Sequence, residues 1–500
     1  MICVSIGRGR HQMMIAEYNA LAEQGAELVE LRLDYIRRSV NLKRLLEGKP
    51  CPVVITIRRP KDGGKWMRSE EDRMTLIRTA IAHGVDYIDL EWDIAEKVPR
   101  YGNTQRIISY HNFDETPDNL PKIHKRLQKC DPDIIKLVTT ANNPIDNIRV
   151  LRLCRDSTVP TVAFCMGEMG VTSRILCGRF GSPMTYATFH PDRQLAPGQL
   201  TYQQMQEVYR YDEITPKTKI LGVIADPVAH SFSPRVHNAC LRDAGLDMLY
   251  LPFRVPPENL KEFVNCCPEM GIRGLSVTIP HKETILKSLN SLDDSVAAIK
   301  AANTVVFKGS TASGYNTDCK AAVSCIVDHV RDANPEEELS AEQPLGGKRI
   351  CLLGAGGVAR AIAFGLNQAG AEVKICARDP RKAEQLADEM KCKSIDWVLR
   401  KDHDCQYLVN CTPVGMHPKM DETPFEQDWH DRHTVIFDTI YNPSRTLFIK
   451  HAREAGCETI TGVDMFARQA AEQFKLFTGK EANEETILYE VKRALSAARY

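Results

Sequence analysis

The first 190 residues alternate between short apolar runs and longer polar or amphipathic segments. The apolar runs are rich in β-branched residues and read ICVSI, ELVELRL, PVVITI, VDYIDLEW, RIISY, DIIKLV, PTVAFCM and MTYATF. Most of them precede a segment long enough for a helix, and strands that alternate with helices are typical of a parallel sheet. Because eight such units close a (β/α)8 barrel, the pattern predicts this α/β fold for the N-terminal part of the chain.

A different pattern follows a charged stretch, EVYRYDEITPKTK, which indicates a domain boundary near residue 214. A second acidic break, RDANPEEELSAEQPLGGK, precedes the segment ICLLGAGGVARAIAFGL. That segment combines a buried strand, a Gly-rich turn and an Ala-rich helix, which is the expected opening of a Rossmann dinucleotide-binding unit. We therefore expect a barrel at 1–213, a substrate-binding subdomain at 214–335 that the C-terminal helices of 466–500 complete, and a Rossmann subdomain at 345–465.

The amino-acid composition limits the classes of molecule that the chain is expected to bind. Lys plus Arg and Asp plus Glu both number 65, so no global field draws the chain to nucleic acid or to a membrane surface, and an anionic ligand requires local cations. The first apolar run is too short for a signal peptide, which predicts a cytoplasmic protein. The 17 cysteines form no C-x-x-C pair and no zinc spacing, so we expect buried thiols in a reducing compartment and no metal.

Six ionisable residues lie in or directly after the N-terminal apolar runs. They are Glu30, Arg32, Arg58, Glu91, His111 and Lys136. In a closed barrel the carboxyl ends of the strands meet at one mouth, which is the usual active-site face. The pattern thus predicts an active site at this mouth.

Lys136 and His111 suggest the chemistry. Burial in an apolar barrel disfavours the charged form of a lysine, which frees the amine to condense with a ketone. The resulting iminium acidifies the adjacent C–H, and His111 can take that proton and later protonate a leaving hydroxyl. These residues by themselves predict an imine-forming aldolase or dehydratase and do not decide between the two.

The ordered motifs ELRLD, TIRRPKDGG, DLEW, SYHNFDETP, IKLV, MGEMGVTSR, FGS and APGQL resemble type I 3-dehydroquinate dehydratase over nearly all of residues 1–205. The resemblance implies that Lys136 forms the imine and that His111 is the acid–base residue. It also implies that the substrate is held by Ser5, Glu30, Arg32, Arg58, Arg174 and Gln199. Asp62 stands where the family has Glu, which puts its contact with the histidine in doubt, and Leu195 replaces a Ser, which removes one hydrogen bond to substrate.

The second half carries its own candidate chemistry. Ser231 and Ser233 follow a strand in a Pro-flanked loop and suit either a turn or a polyol ligand. Lys282 and Asp318 also follow strands, and such a pair is either an ordinary ion pair or a proton shuttle to a carbonyl that accepts hydride.

The cofactor type follows from the strand after the glycine turn. That strand, AEVKICA, ends in Arg378, and an arginine there favours the 2′-phosphate of NADP. Asp379 opposes this interpretation, because a carboxylate at the same place can bond the ribose of NAD.

The ordered motifs HSFSP, VTIPHKE, AANTVV, NTDC, GAGGVAR, VNCTPVGM, DTIYNPSRT and GVDMFARQAAEQF resemble shikimate dehydrogenase over 220–500. The resemblance implies that Lys282 and Asp318 are the catalytic pair. It implies that the substrate is held by Ser231, Ser233, Thr278, Asn303, Tyr441 and Gln469, and that NADP is held by Gly354, Ala355, Gly356, Gly357, Val358, Ala377, Arg378 and Arg381. Ser276 stands where bacterial members usually have Asn, and Asp464 and Phe466 replace a usual Gly and Leu beside the nicotinamide.

The two halves match consecutive steps of the shikimate pathway, and the whole chain resembles the bifunctional dehydroquinate dehydratase–shikimate dehydrogenases of plants. The resemblance implies small-molecule substrates (3-dehydroquinate, 3-dehydroshikimate and shikimate), NADPH as cofactor and a monomer or homodimer. Two alternatives stay open. The second module could be a quinate dehydrogenase with the same catalytic pair, or the chain could be a non-catalytic sensor like the fungal quinate-pathway repressors.

Overall fold

We analysed a computed structural model of the chain, which describes residues 1–229, 231–336, 338–401, 404–417 and 419–497. The Cα positions divide it into two compact units. The first contains residues 1–220 and two later segments up to residue 266, and the second contains the remaining residues.

All eight predicted strands of the N-terminal half are present and parallel. They are β1 (Ile2–Ile6), β2 (Leu28–Arg32), β3 (Val53–Thr56), β4 (Tyr87–Glu91), β5 (Gln105–His111), β6 (Ile134–Thr140), β7 (Thr161–Met166) and β8 (Thr185–Thr188). They pair in the order β7-β6-β5-β4-β3-β2-β1-β8, which forms a nearly closed barrel. The helices of this half are α1 (His11–Glu23), α2 (Leu42–Leu46), α3 (Glu70–Ala82), α4 (Leu120–Gln128), α5 (Asp146–Asp156) and α6 (Val171–Leu176).

The barrel interior changes character along its axis. One layer is apolar and contains Cys3, Val54, Ile107 and Phe164. The polar side chains that interrupt the apolar runs lie nearer the carboxyl ends of the strands. Since side chains alternate along a strand, the residues two apart in one run share the interior side. This alternation puts the ionisable groups of different strands next to one another.

The following segment forms a mixed six-stranded sheet in the order β10-β9-β11-β13-β14-β12. Its elements are β9 (Lys219–Ala225), α7 (Ser233–Asp243), β10 (Met248–Arg254), α8 (Leu260–Cys266), β11 (Ile272–Val277), β12 (Ser291–Leu292), α9 (Asp294–Ile299), β13 (Thr304–Lys308), β14 (Thr311–Tyr315) and α10 (Thr317–Ala333). The β13 strand is antiparallel to β11 and β14. The candidate residues Thr278, Asn303 and Asp318 stand at the ends of these strands or just beyond them.

The Rossmann unit is a parallel six-stranded sheet in the order β17-β16-β15-β18-β19-β20. Its elements, with the C-terminal helices, are β15 (Arg349–Leu353), α11 (Gly357–Gln368), β16 (Glu372–Ala377), α12 (Pro380–Met390), β17 (Lys393–Asp396), β18 (Tyr407–Asn410), β19 (Val435–Asp438), α13 (Leu447–Glu454), β20 (Thr459–Ile460), α14 (Gly462–Thr478) and α15 (Glu484–Ala497). The predicted strand and glycine turn are β15 and the start of α11. Ile350 and Leu352 belong to one apolar cluster and Cys351 and Leu353 to another, so both faces of β15 are covered.

The last two helices pack back against the substrate-binding subdomain. The α15 helix contacts α7, and α14 contacts α7 and α10. Lys480, between the two helices, donates a hydrogen bond to the carbonyl oxygen of Ala244 at 3.2 Å. Of the expected C-terminal segment 466–500, the last three residues lie outside the described part of the chain.

Candidate active sites

One cavity at the barrel mouth brings together all eight of the barrel residues predicted to act. It contains about 440 Å³ of empty space, and its lining includes Ser5, Glu30, Arg32, Arg58, His111, Lys136, Arg174 and Gln199. The same wall includes Asp62 and Leu195, the two departures from the family pattern, and three residues that sequence reasoning did not single out, Phe113, Phe164 and Tyr186. Glu91 is not among the lining residues, because its carboxylate accepts a hydrogen bond from Arg73 of α3 at 2.9 Å.

Lys136 does not lie in the apolar surroundings that its strand suggests. Its Nζ is 3.1 Å from the carboxylate of Asp89 and 3.5 Å from that of Glu30, and it lies 3.7 Å from the centre of the Tyr186 ring. The apolar surroundings expected for this lysine are therefore not found, because one carboxylate from β4 and one from β2 reach its nitrogen.

His111 is held as a neutral acceptor. Arg58 Nη1 lies 2.7 Å from His111 Nε2, and since a guanidinium only donates, Nε2 must carry the lone pair. Burial is the main cause that lowers the pKa of His111 well below its usual value, and the positive charges of Arg58 and Lys136 add to it. The imidazole is thus prepared to take a proton, and the Phe113 ring stacked on it at 6.2 Å limits its orientation.

Asp62 does not contact this histidine in the described structure. Its carboxylate accepts from Arg59 Nε at 2.7 Å, and Arg59 also binds Asp93 at 2.8 Å. The shorter side chain thus belongs to a loop-anchoring ion-pair cluster, and Arg58 is the residue that orients His111. Leu195, the other departure, donates its backbone N–H to Gln199 Oε1 at 2.9 Å and so helps to fix that cavity residue.

Arg174 is a buried cation without an anionic partner among the described residues. It is 2% exposed, it donates one hydrogen bond to the carbonyl oxygen of Pro197 at 3.2 Å, and its Nε has no partner. Desolvation lowers the pKa of the guanidinium to about 10. The buried Nε of Arg58 and hydroxyl of Tyr186 are also without partners, so the cavity offers three donors to a ligand. A ligand with a carboxylate and hydroxyls would satisfy them.

In the second unit the predicted catalytic pair is in contact. Lys282 Nζ donates to Asp318 Oδ2 at 2.6 Å, and Asn303 Nδ2 donates to the other carboxylate oxygen at 2.9 Å. The Asp318 side chain is 2% exposed and the Lys282 side chain is 13% exposed. The lysine therefore presents its ammonium to a ligand while the buried carboxylate and amide hold it from behind.

Several other predicted substrate residues follow strands or begin a helix in this unit. Ser231 Oγ accepts the backbone N–H of Ser233, the first residue of α7, at 3.3 Å, and the motif's His230 lies outside the described residues. Thr278 directly follows β11. Tyr441 follows β19 and packs on Phe466 with ring centres 4.6 Å apart, which explains the aromatic residue at that position.

Gln473 is a residue that sequence reasoning missed. It is 1% exposed, it accepts from Ser276 Oγ at 2.7 Å, and it donates to Thr304 Oγ1 at 3.0 Å and to the carbonyl oxygen of Asn303 at 3.1 Å. The predicted Gln469 lies one helical turn earlier and contacts Gln473 at 3.4 Å. Gln473 thus joins α14 to the strands that carry the pair, and a glutamine on the apolar face of that helix was the available signal.

The glycine turn lies beside the catalytic lysine. Gly354 has φ of 117°, which only glycine adopts readily, and Gly356 is the N-cap of α11. A Cβ at Gly357 would lie 3.7 Å from Cβ of Lys282, which is an ordinary van der Waals distance, so the turn and the lysine are direct neighbours. Ala355 and Val358 complete this turn, whose exposed N–H groups are suited to a pyrophosphate.

The segment that is predicted to determine cofactor specificity contains a carboxylate that already accepts a hydrogen bond within the protein. Asp379 is the N-cap of α12, and its side chain accepts the backbone N–H of Arg381 at 3.1 Å. Arg378 follows the buried Ala377 and is exposed, as are Arg381 and the neighbouring Lys382. Asp379 therefore serves first as a helix cap, and three exposed cations surround it.

Asp464, the other departure in the second half, has a similar structural role. Its carboxylate accepts the backbone N–H of Thr461 at 3.2 Å and the hydroxyl of the same residue at 2.6 Å. These contacts form a capping box at the start of α14. The acidic residue thus stabilises the helix end.

Comparison with known proteins decides the family. The model of type I 3-dehydroquinase matches residues 2–216, and that of the shikimate dehydrogenase substrate binding domain matches 223–305. The model of the NADP oxidoreductase coenzyme F420-dependent family matches 349–414, and that of the shikimate 5′-dehydrogenase C-terminal domain matches 462–490. An Arabidopsis thaliana protein, the bifunctional 3-dehydroquinate dehydratase/shikimate dehydrogenase, chloroplastic, is 35% identical over 97% of this chain and 83% of its own length.

The chain belongs to the bifunctional 3-dehydroquinate dehydratase/shikimate dehydrogenase family. The NADP⁺ shikimate dehydrogenase of Methanothermobacter thermautotrophicus is 36% identical over 57% of this chain and 99% of its own length. A crystal structure of a shikimate dehydrogenase in complex with NADP⁺ superposes with a TM-score of 0.52 at 35% identity, over 56% of this chain and 97% of that one. No helix in the described ranges is long and apolar enough to cross a bilayer.

Proposed function

We propose that this chain dehydrates 3-dehydroquinate in its barrel and reduces the resulting 3-dehydroshikimate to shikimate with NADPH in its second unit. The family membership carries both activities. The observation that supports the first is the cavity in which a carboxylate-bound lysine, a neutral histidine and an unpaired buried arginine meet.

The first reaction begins on Lys136. Its amine attacks the ketone carbon after one ammonium proton moves to the substrate oxygen, a second proton follows, and the oxygen leaves as water, so that an iminium forms that draws electrons from the neighbouring carbon. His111 removes a proton from that carbon through the lone pair that Arg58 now occupies, and then returns it to the departing hydroxyl. Water hydrolyses the product iminium at the end of the reaction and frees Lys136. Arg174 is proposed to bind the substrate carboxylate, and Ser5, Glu30, Arg32 and Gln199 the hydroxyls.

The second reaction is a hydride transfer, for which NADPH supplies the hydride. Lys282 donates a proton to the carbonyl oxygen of the substrate, and Asp318 holds the lysine in place through their hydrogen bond. The proximity of Gly357 to Lys282 supports this role, because the cofactor turn and the proton donor are neighbours. Ser231, Ser233, Thr278, Asn303, Tyr441 and Gln469 are the proposed substrate contacts.

We propose NADP as the cofactor because of the exposed cations at Arg378 and Arg381 and because Asp379 is engaged as a helix cap. We also propose small molecules as the only partners, a monomer or homodimer, and a cytoplasmic location. The Arabidopsis relative carries the word chloroplastic in its name, so cell fractionation is the test of compartment.

Borohydride trapping tests the proposal at its first step. Borohydride added with 3-dehydroquinate should fix the adduct mass on the peptide that contains Lys136 and abolish dehydration. Lys136→Ala should give no adduct and no dehydration, yet should keep shikimate oxidation with NADP⁺. An adduct on another lysine, or full dehydration by the variant, contradicts the assignment.

The quinate alternative predicts a different second activity. A quinate dehydrogenase would oxidise quinate with NAD⁺ faster than shikimate with NADP⁺, and a non-catalytic sensor would show neither activity. Lys136, His111, Lys282 and Asp318 are all present, and the contact between Lys282 and Asp318 supports an enzyme.

A further inference from the structure

Asp89 is the buried carboxylate closest to the reacting nitrogen. It lies in β4, and its side chain is 1% exposed. It does not line the cavity, and its carboxylate lies 3.1 Å from Lys136 Nζ. A substrate in the cavity therefore meets the lysine and does not meet Asp89.

Asp89 also touches the residue that orients His111. One of its oxygens, Oδ2, accepts from Arg58 Nη2 at 2.7 Å as well as from the lysine, and the other accepts from Ser109 Oγ at 2.6 Å. Burial by itself would raise the pKa of Asp89, but Arg58 and Lys136 outweigh it and hold the pKa well below its usual range. The carboxylate thus stays ionised and is a poor proton acceptor.

Charged side chains of both signs lie around the nitrogen. Asp89 and Glu30 supply two negative charges, and Lys136 and Arg58 supply two positive charges, while Arg32 is neutralised by Asp34 at 2.8 Å. Formation of the imine preserves this balance. A lysine ammonium and a ketone give an iminium and water, so two of the three ammonium protons leave on the oxygen and the nitrogen keeps one proton and the charge.

We propose that Asp89 is a catalytic residue of the dehydratase reaction, the counter-ion of the iminium that forms on Lys136. The inference rests on the proposed function, because it requires an imine at that lysine. Asp89 accepts the remaining iminium N–H and keeps the positive charge in place while His111 takes the proton from carbon. Such a fixed charge stabilises the intermediate without any reorganisation of solvent.

This role differs from that of Glu30. Glu30 lies on the ligand side of the nitrogen and accepts from Ser5 and Thr56, so its loss should disturb substrate binding. Loss of the charge on Asp89 should spare binding and lower the rate of the chemical steps. Loss of Glu30 should therefore mainly raise KM, whereas loss of the charge on Asp89 should mainly lower kcat.

Asp89→Asn is the variant that removes the charge and keeps the shape. We expect kcat for dehydration to fall by about 100-fold or more, as for the loss of one preorganised charge stabiliser, with KM within about threefold of wild type. The rate of borohydride trapping at Lys136 should fall in parallel. Ser109→Ala, which removes a hydrogen bond from Asp89 and leaves its charge, is the matched control and should keep kcat within about tenfold.

Two further measurements separate catalysis from folding. Ligand affinity in a Lys136→Ala background, where no imine can form, should be the same with Asp89 and with Asn at that position. Shikimate oxidation by the second unit of Asp89→Asn should stay at the wild-type rate. Asp89→Glu, which keeps the charge and moves it by one methylene, should retain at least a tenth of the wild-type kcat. If Asp89→Asn does not fold, a folded Asp89→Glu without dehydratase activity still contradicts the proposal.

The inference is overturned if Asp89→Asn dehydrates within about fivefold of the wild-type rate, if its loss of activity is matched by a loss of ligand affinity in the Lys136→Ala background, or if Asp89→Glu is as inactive as Asp89→Asn. A wild-type enzyme that gives no adduct on Lys136 would instead refute the proposed function itself. The two failures are thus distinguishable in one series of variants.

Discussion

Replacement of Arg174 by methionine should raise the stability of the free protein and abolish its affinity for substrate. The guanidinium is buried without an anionic partner among the described residues, and its pKa is lowered from 12.5 to about 10. At about 1.4 kcal/mol per pKa unit, the charged guanidinium lowers the unfolding free energy of the protein by roughly 3 kcal/mol. Methionine has a similar length, fills the space with apolar atoms and removes that cost.

The same group should dominate binding. A substrate carboxylate that receives two charge-assisted hydrogen bonds gains about 1.5–3 kcal/mol from each, so the loss of Arg174 should weaken binding by about 100-fold to 10,000-fold. The assays are thermal unfolding without ligand and the KM of dehydration. We expect the Tm of Arg174→Met to equal or exceed that of wild type, while KM rises by at least 100-fold.

Arg73 is the matched control, since it is a fully buried arginine of the same barrel that has its partners. It donates to Glu70 at 2.7 Å and to Glu91 at 2.9 Å. Arg73→Met leaves a buried carboxylate unpaired and should cost about 3–5 kcal/mol of unfolding free energy. If Arg174→Met loses as much stability as Arg73→Met and keeps a normal KM, Arg174 is a structural residue and the carboxylate site is wrong.

Three other predictions follow from single contacts. Arg378→Ala should raise the KM for NADPH by about tenfold or more and leave NADH kinetics nearly unchanged. Asp379→Ser keeps the helix cap and removes a negative charge, so it should increase kcat/KM for NADPH relative to kcat/KM for NADH. Equal effects on both cofactors would contradict the assignment of this segment to cofactor choice. Lys282→Ala should lower shikimate oxidation by about 100-fold to 10,000-fold while dehydration persists, and a joint loss in a folded protein would argue against separate sites. Burial raises the pKa of Asp438 from 3.8 to about 6, against its hydrogen bonds with Thr446, Ile440 and Asn410. The folded state thus keeps this proton to higher pH than the unfolded state does. The resulting contribution to the unfolding free energy, about 3 kcal/mol, is complete below pH 3.8 and is lost as the pH rises through 6. Denaturant unfolding of Asp438→Asn at pH 4 to 8 should lack that slope, and a slope equal to that of wild type would refute the shift.

Much of the barrel follows from local sequence. Eight β-branched runs gave eight strands, because an apolar run of that length is stable only when it is buried in a parallel sheet. The position of each ionisable group in its run then predicted five of the side chains that share the cavity, whereas the sixth, Glu91, lies outside it. What the runs did not reveal is which carboxylate reaches the lysine, because Asp89 and Glu91 are two residues apart on the same strand and lie on the same side. Only the path of α3, which brings Arg73 to Glu91, separates their roles.

In the second half of the chain, too, the sequence indicates the role of some residues and not of others. Asp379 precedes Pro380 and Arg381, and an Asp before a Pro at the first helical position is the pattern of an N-cap, so its role was readable from the sequence. Gln473 is different, because its three partners come from Ser276, Asn303 and Thr304, about 170 to 200 residues away along the chain. Contacts over such separations depend on how α14 packs against the sheet.

The central claim, that one chain performs both reactions, is tested most directly by a mixture of the pure protein with 3-dehydroquinate and NADPH. The account predicts that absorbance at the nicotinamide band falls, that shikimate accumulates in equal amount, and that Lys136→Ala stops NADPH consumption from 3-dehydroquinate but not from added 3-dehydroshikimate. The claim is contradicted if wild-type enzyme converts 3-dehydroquinate without consuming NADPH. It is also contradicted if Lys136→Ala still consumes NADPH when 3-dehydroquinate is the only substrate added.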